Sequence, residues 1–162
     1  MTSQNTRQFL ADMLQELVAA YIQTWIFGGW AEELQDLRPP GPHHDIDLLY
    51  SAEDFSSVDQ FLQSRTDLEE VPSKRFVHKR AFVWRGILVE IFLLRPVPTG
   101  FVTDFFGLYQ FQWPADTLSQ ATLFGVPAPS ASPAALGIYR ERHKVVEQAY
   151  QQYLASKEDS IP

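Results

Sequence analysis

The chain has no cysteine, which excludes a disulfide framework, a thiolate zinc site and a cysteine nucleophile together. It also has no apolar run approaching the ~20 residues of a membrane-spanning helix. The polar opening from Met1 to Asp12 lacks the basic start and apolar stretch of a secretory signal, so a cytoplasmic protein is expected. Basic residues are scarce: 13 Lys and Arg stand against 20 Asp and Glu, for a net charge of -7. Gripping nucleic acid requires a cationic face that neutralises phosphates, so that class is disfavoured and a neutral or cationic partner suits the chain better. The same acidic surplus also serves solubility alone.

What is present is material for a core. Hydrophobic residues make up 45% of the 162, with 12 Phe, 6 Tyr and 4 Trp among them. That is enough for one domain, expected over residues 1–156, followed by a frayed tail over 157–162. Phe9, Leu10, Met13, Leu14, Leu17, Val18, Tyr21 and Ile22 recur at helical spacing, predicting an amphipathic helix from Thr6 to Gln23. Trp25 to Phe27 reads as a strand stopped by Gly28-Gly29, and Trp30, Leu34 and Leu37 mark a short helix. The proline-laden Arg38 to Pro42 must be a loop.

Asp45 to Tyr50 reads as the next strand. Ser51 and Asp54, in capping-box spacing, precede a helix burying Phe55, Val58, Phe61 and Leu62. Arg75 to Trp84 and Ile87 to Leu94 flank Arg85-Gly86 as a hairpin. Between Val97 and Pro129 the pattern supports only two short strands, Leu108 to Trp113 and Ala121 to Phe124. Ser132-Pro133 opens a last helix running to about Leu154. The sum is an α+β domain: a mixed or antiparallel twisted sheet with N-terminal and C-terminal helices packed on it.

The residues that carry chemistry begin with Asp45-Ile46-Asp47. Strand alternation sends both aspartates to one face, ~6.6 Å apart by backbone rise, where they can converge on a divalent cation. The bland alternative is a water-facing strand face that is simply polar. Gly28-Gly29 at a strand-to-helix junction would let backbone amides approach phosphate oxygens, although a diglycine also serves as an ordinary turn. Glu90 sits alone in the apolar run Leu88 to Phe92. It calls for a partner, either a basic residue such as Arg75, Arg80 or Arg85, or a metal shared with the aspartates. Trp30, next to the diglycine, is placed to wall a nucleotide pocket. Arg140, Arg142, His143 and Lys144 either face a triphosphate or form a solvated helix face. His78 reads as a surface residue.

Gly28-Gly29-Trp30-Ala31, then Arg38, His43 and Asp45-Ile46-Asp47, with a third acid on a later strand, resemble the nucleotidyltransferase superfamily that includes DNA polymerase beta. The nearer likeness is to the aminoglycoside and lincosamide nucleotidyltransferases, over Trp25 to Tyr50 and on to Glu90. The resemblance implies that Gly28, Gly29, Trp30, Arg38 and His43 bind a nucleoside triphosphate. It further implies that Asp45, Asp47 and Glu90 bind Mg2+, and that Glu90 completes the metal site or takes the acceptor's proton. ATP is the donor it implies, and AMP the group moved to a hydroxyl of a small-molecule or protein acceptor. Two rivals stand beside this reading. His43-His44-Asp45 suggests a metal-dependent phosphohydrolase, for which His78 and His143 lack companion motifs. The other is a nucleotide-binding or partner-binding module that has kept the fold and lost catalysis. The acceptor, the preferred base and the oligomeric state stay open at the level of sequence.

Overall fold

The structure is a computed structural model describing residues 4–159. The first helix, α1 (Arg7–Ala19), starts where the Thr6 hydroxyl accepts the Phe9 amide at 3.1 Å, and it buries Phe9, Leu10, Met13 and Leu17. It ends earlier than its apolar spacing predicts. The amide of Ile22 returns to the Leu17 carbonyl and Tyr21 enters the left-handed region at φ 63°. That reversal turns Tyr21 fully outward and leaves Val18 half exposed, so neither joins the core.

Strand β1 (Trp25–Phe27) runs directly into α2 (Gly28–Leu34), and the loop after it leaves Leu37 exposed. Strand β2 (Asp45–Ser51) follows, then α3 (Ser56–Ser64) with Val58, Phe61 and Leu62 buried as expected. The capping box does not form, because Ser51 is still in the strand. Instead the Asp54 carboxylate accepts the Ser56 amide at 2.9 Å. A short β3 (Leu68–Glu70) and a 3-10 turn (Pro72–Lys74) lead to the hairpin of β4 (Lys79–Trp84) and β5 (Ile87–Val97). Its two-residue turn holds Arg85 at φ 51° and Gly86 at φ 83°, the twist that suits tight hairpins. Four more strands follow: β6 (Gly100–Phe105), β7 (Tyr109–Gln112), β8 (Leu118–Leu123) and β9 (Val126–Ala131). Of these, β6 and β9 have no counterpart in the sequence reading. The last helix, α4 (Pro133–Asp159), includes residues 157–159 of the expected tail, and 160–162 lie outside the described residues.

The sheet order is β3-β4-β5-β2-β1-β9-β8, with β6 joining β5 and β7 joining β6. Pairing is mixed: β2 lies parallel to β5 and β1 parallel to β9, while the other pairs are antiparallel. Alternation sorts the two faces. Ile46, Leu48, Val89, Ile91, Phe82 and Trp84 share one face, where Trp84 meets Phe9 of α1 and Phe82 meets Phe61 of α3. Asp45, Asp47, Leu49, Glu90, Phe92, Lys79 and Phe27 share the other. There Tyr139 of α4 packs edge-on against Phe27 at 4.9 Å. The polar site therefore lies between the sheet and α4.

Candidate active site

The parallel register sets Asp47 beside Glu90 and Asp45 beside Leu88. Carboxylate oxygens of Asp45, Asp47 and Glu90 consequently lie within 4.8 Å of one another. The convergence is costly for the bare carboxylates. Burial raises the Asp47 carboxyl to about 8, reinforced by the charges of Asp45 and Glu90. Burial and the charge on Glu90 also raise Asp45. Hard oxygen donors gathered at this spacing, one of them keeping its proton near neutrality, fit a divalent cation such as Mg2+.

Glu90 has basic partners, though not the expected arginines. Lys79 reaches one oxygen at 2.5 Å and Lys74 the other at 3.5 Å. The pleat explains the choice. Lys79 sits opposite Phe92, two residues from Glu90 and on the same face, whereas Arg80 points to the far face and pairs with Asp59. Arg75 bridges Glu70 and Asp59, and Arg85 lies in the turn over the Trp84 ring. Sequence reasoning missed both lysines. The signal available was the two-residue alternation from Lys79 to Ala81, the direct partner of Glu90.

The two glycines serve different needs. Gly28 has φ 62°, and a Cβ there would stand 2.2 Å from Asp47 Oδ2. Only glycine therefore allows β1 to turn into α2 with Asp47 in place. A Cβ on Gly29 would instead meet Arg38 Nη1 at 3.0 Å and His43 Nδ1 at 3.2 Å. Arg38 is exposed there. His43 is not: it stacks on Trp30 at 3.9 Å, and its Nε2 contacts Glu33 Oε1 at 2.9 Å. The buried Glu33 also accepts from Arg7 and the Gly41 amide. Burial pushes its carboxyl up, but the bonds from His43, Gly41 and Arg7 outweigh that and hold it below the usual range. Trp30 is buried too, and its indole N–H donates to Asn5, whose amide donates to the Asp45 carbonyl. This chain of contacts ties α2 and the proline-rich loop to the start of β2.

On α4, Arg140 pairs with Glu32. Arg140 and His143 line a cleft of about 330 Å³ with Phe27, Gly28 and Tyr139. Arg142 and Lys144 are solvent-exposed. His78 is buried rather than on the surface, its Nδ1 accepting the Phe106 amide at 3.0 Å. Aromatic neighbours on three sides take it out of water. Burial, with the charge of Lys79, lowers it to about 3. Among the described residues the group able to hold a metal contains no histidine, which removes the basis of the phosphohydrolase reading.

A sequence profile of the aminoglycoside-2''-adenylyltransferase family matches residues 9–135, a span that includes all three acids. The chain belongs to that family. It is therefore a nucleotidyltransferase, as Gly28-Gly29 and Asp45-Ile46-Asp47 imply by resemblance. No curated protein sequence matches this nucleotidyltransferase significantly. Among solved structures, the lincosamide antibiotic adenylyltransferase LnuA with lincomycin bound shares its fold at TM-score 0.70 and 15% identity, over 85% of this chain and 87% of that one. ANT(2'')-Ia in complex with adenylyl-2''-tobramycin matches at TM-score 0.61 and 13% identity, over 93% and 88%. The α+β class and the mixed sheet are thus those of the nucleotidyltransferase fold.

Proposed function

We propose that this adenylyltransferase moves AMP from ATP to a hydroxyl of its acceptor, with Asp45, Asp47 and Glu90 holding Mg2+. The observation that carries the reading is the convergence of three carboxylates from two adjacent parallel strands beside a glycine that admits no side chain. Bound there, Mg2+ neutralises charge on the attacked phosphate and lowers the pKa of the acceptor hydroxyl. The triphosphate is assigned to the cleft at Gly28, where α4 offers Arg140 and His143. Arg38, exposed beside Gly29, is a further phosphate contact, while Trp30 and His43 hold the loop that carries it.

The acceptor oxygen forms its bond to the α-phosphorus as the bond to the bridging oxygen of pyrophosphate breaks, and its proton passes to Glu90. Lys74 and Lys79 pair with the two oxygens of that carboxylate and fix its position.

The test is pyrophosphate release from ATP and Mg2+ across a panel of hydroxyl-bearing compounds, with mass analysis of the adenylylated product. Asp47→Asn and Glu90→Gln each cut the rate by about 100-fold or more. Binding of ATP and Mg2+ without turnover across the whole panel makes the protein a nucleotide-binding module instead.

A further inference from the structure

Two successive acids on α2 serve different partners. Glu32 lines the cleft at Gly28 and pairs with Arg140, whereas Glu33 is buried, its side chain only 3% exposed. Burying a carboxylate is unfavourable unless donors surround it, and an apolar side chain of similar size would fill the same space without that demand. Glu33 has three donors, and they divide between its two oxygens. Oε2 takes Arg7 of α1 at 3.1 Å, while Oε1 takes the Gly41 amide at 3.1 Å and His43 Nε2 at 2.9 Å.

What Oε1 holds is the segment from Arg38 to His43. Pro39, Pro40 and Pro42 have no N–H to donate, so the backbone there can do little to fix its own course. At one end the Leu37 amide returns to the Glu32 carbonyl at 2.8 Å and closes α2. Beyond it, among the described residues, the hydrogen bonds that tie the segment to the rest of the protein come from Gly41 and His43, and both end on that single oxygen. His43 also stacks on Trp30 at 3.9 Å. Arg38 leads the segment as an exposed guanidinium lying over Gly29, its Nη1 3.0 Å from where a Cβ would stand.

We infer that Glu33 is a positioning residue for nucleotide binding: through Gly41 and His43 it sets the course of the proline-rich segment and so holds the Arg38 guanidinium over Gly29 for the triphosphate. The assignment rests on the transferase reading and adds to it a residue that touches neither nucleotide nor acceptor.

The experiment is a calorimetric titration of the full-length protein with a nonhydrolysable ATP analogue and Mg2+. It compares Arg38→Ala, Glu33→Ala, their double variant, Glu33→Gln and Arg7→Ala, each checked by circular dichroism and thermal melting. Arg38→Ala and Glu33→Ala each weaken the analogue about tenfold, the scale of one hydrogen bond to a charged group. The double variant binds hardly more weakly than either, because a guanidinium on a released segment has little left to lose. Glu33→Gln keeps an oxygen that accepts from Gly41 and His43, and the half-exposed Arg7 can turn to water, so its affinity stays within about threefold of the unaltered protein. Arg7→Ala removes the partner of Oε2 and spares Oε1, so it lowers the melting temperature and leaves the affinity unchanged. If Glu33→Ala does not fold, His43→Phe keeps a ring on Trp30, removes one of the bonds to Oε1, and shows the same non-additivity with Arg38→Ala.

Losses that multiply in the double variant, an Arg38→Ala protein that binds as tightly as the unaltered one, or an affinity loss in Arg7→Ala equal to that in Glu33→Ala overturn the assignment and leave the transferase standing. Coupled losses with no pyrophosphate released to any hydroxyl compound support the assignment and remove the transferase reading. Failure of the unaltered protein to bind the analogue removes both.

Discussion

A single missing methyl decides the geometry at Gly28. Its positive φ costs an L-residue roughly 1–2 kcal/mol, and an added Cβ would overlap Asp47 Oδ2 at 2.2 Å. The overlap cannot be relieved without moving a carboxylate of the proposed metal site. Gly28→Ala is therefore expected to lower turnover by about 100-fold, the scale of an ångström's misplacement at a reacting centre. Gly41→Ala is the control: nothing lies within 4 Å of the added methyl, and the residue's amide still donates to Glu33. Steady-state kinetics on the two variants decide it, and equal rates would remove Gly28 from the argument. The pairing of Asp45 with Asp47 was legible at this scale because a period of two needs no tertiary information. Lys79 could have been read from the hairpin register that the Arg85-Gly86 turn sets, but Lys74 could not, since it reaches Glu90 from a 3-10 turn outside the strands.

At the scale of elements, α4 matters most, because it carries Tyr139, Arg140 and His143 into the cleft at Gly28. Its start is fixed by Ser132, whose hydroxyl accepts the Ala135 amide at 3.1 Å and donates to Asp116 at 3.2 Å. Ser132→Ala should cost about 1 kcal/mol in urea unfolding. Asp116→Ala, which spares the cap, should stay under about 0.5 kcal/mol. Equal losses would mean that the Asp116 bond, and not the cap, anchors the helix. This boundary was readable from Ser132-Pro133 because capping is local chemistry. The end of α1 was not, since the apolar spacing continues through Ile22 while the backbone reverses at Tyr21. Strand β9 escaped for a different reason. Pro127 and Pro129 argue against a strand, yet two prolines two residues apart remove N–H groups from the same edge and leave the other edge free to pair with β8. The parallel pairing of β2 with β5, which builds the site, is a long-range choice; a lone acid in an apolar run singled out Glu90, but periodicity alone could not say which strand it would lie beside.

The whole molecule bears the cost of its acidic cluster as a dependence of stability on pH. In an unfolded chain an aspartate titrates near ~3.9, whereas folded, metal-free Asp47 keeps its proton to about 8. Between those values the native state holds a proton that the unfolded state has released, so the stability of the metal-free protein falls as pH rises and levels off above 8. His78 acts in the opposite sense. Lowered to about 3 in the fold, against ~6.5 unfolded, it contributes stability that is full above 6.5 and lost as pH falls towards 3. The two overlap at acid pH, and the Asp47 effect stands clear from about 6.5 to 8. On the proposed reading Mg2+ would bind the deprotonated cluster and expel that proton, so its affinity would rise through the same window. Thermal melts in EDTA should therefore decline from pH 6.5 to 8, and the gain in Tm on adding Mg2+ should be larger at pH 8 than at pH 6.5. Asp47→Asn, which has no proton to lose, should flatten the decline and abolish most of the gain. A Tm gain from Mg2+ that is the same at both pH values, or that survives Asp47→Asn intact, would place the cation elsewhere on the molecule.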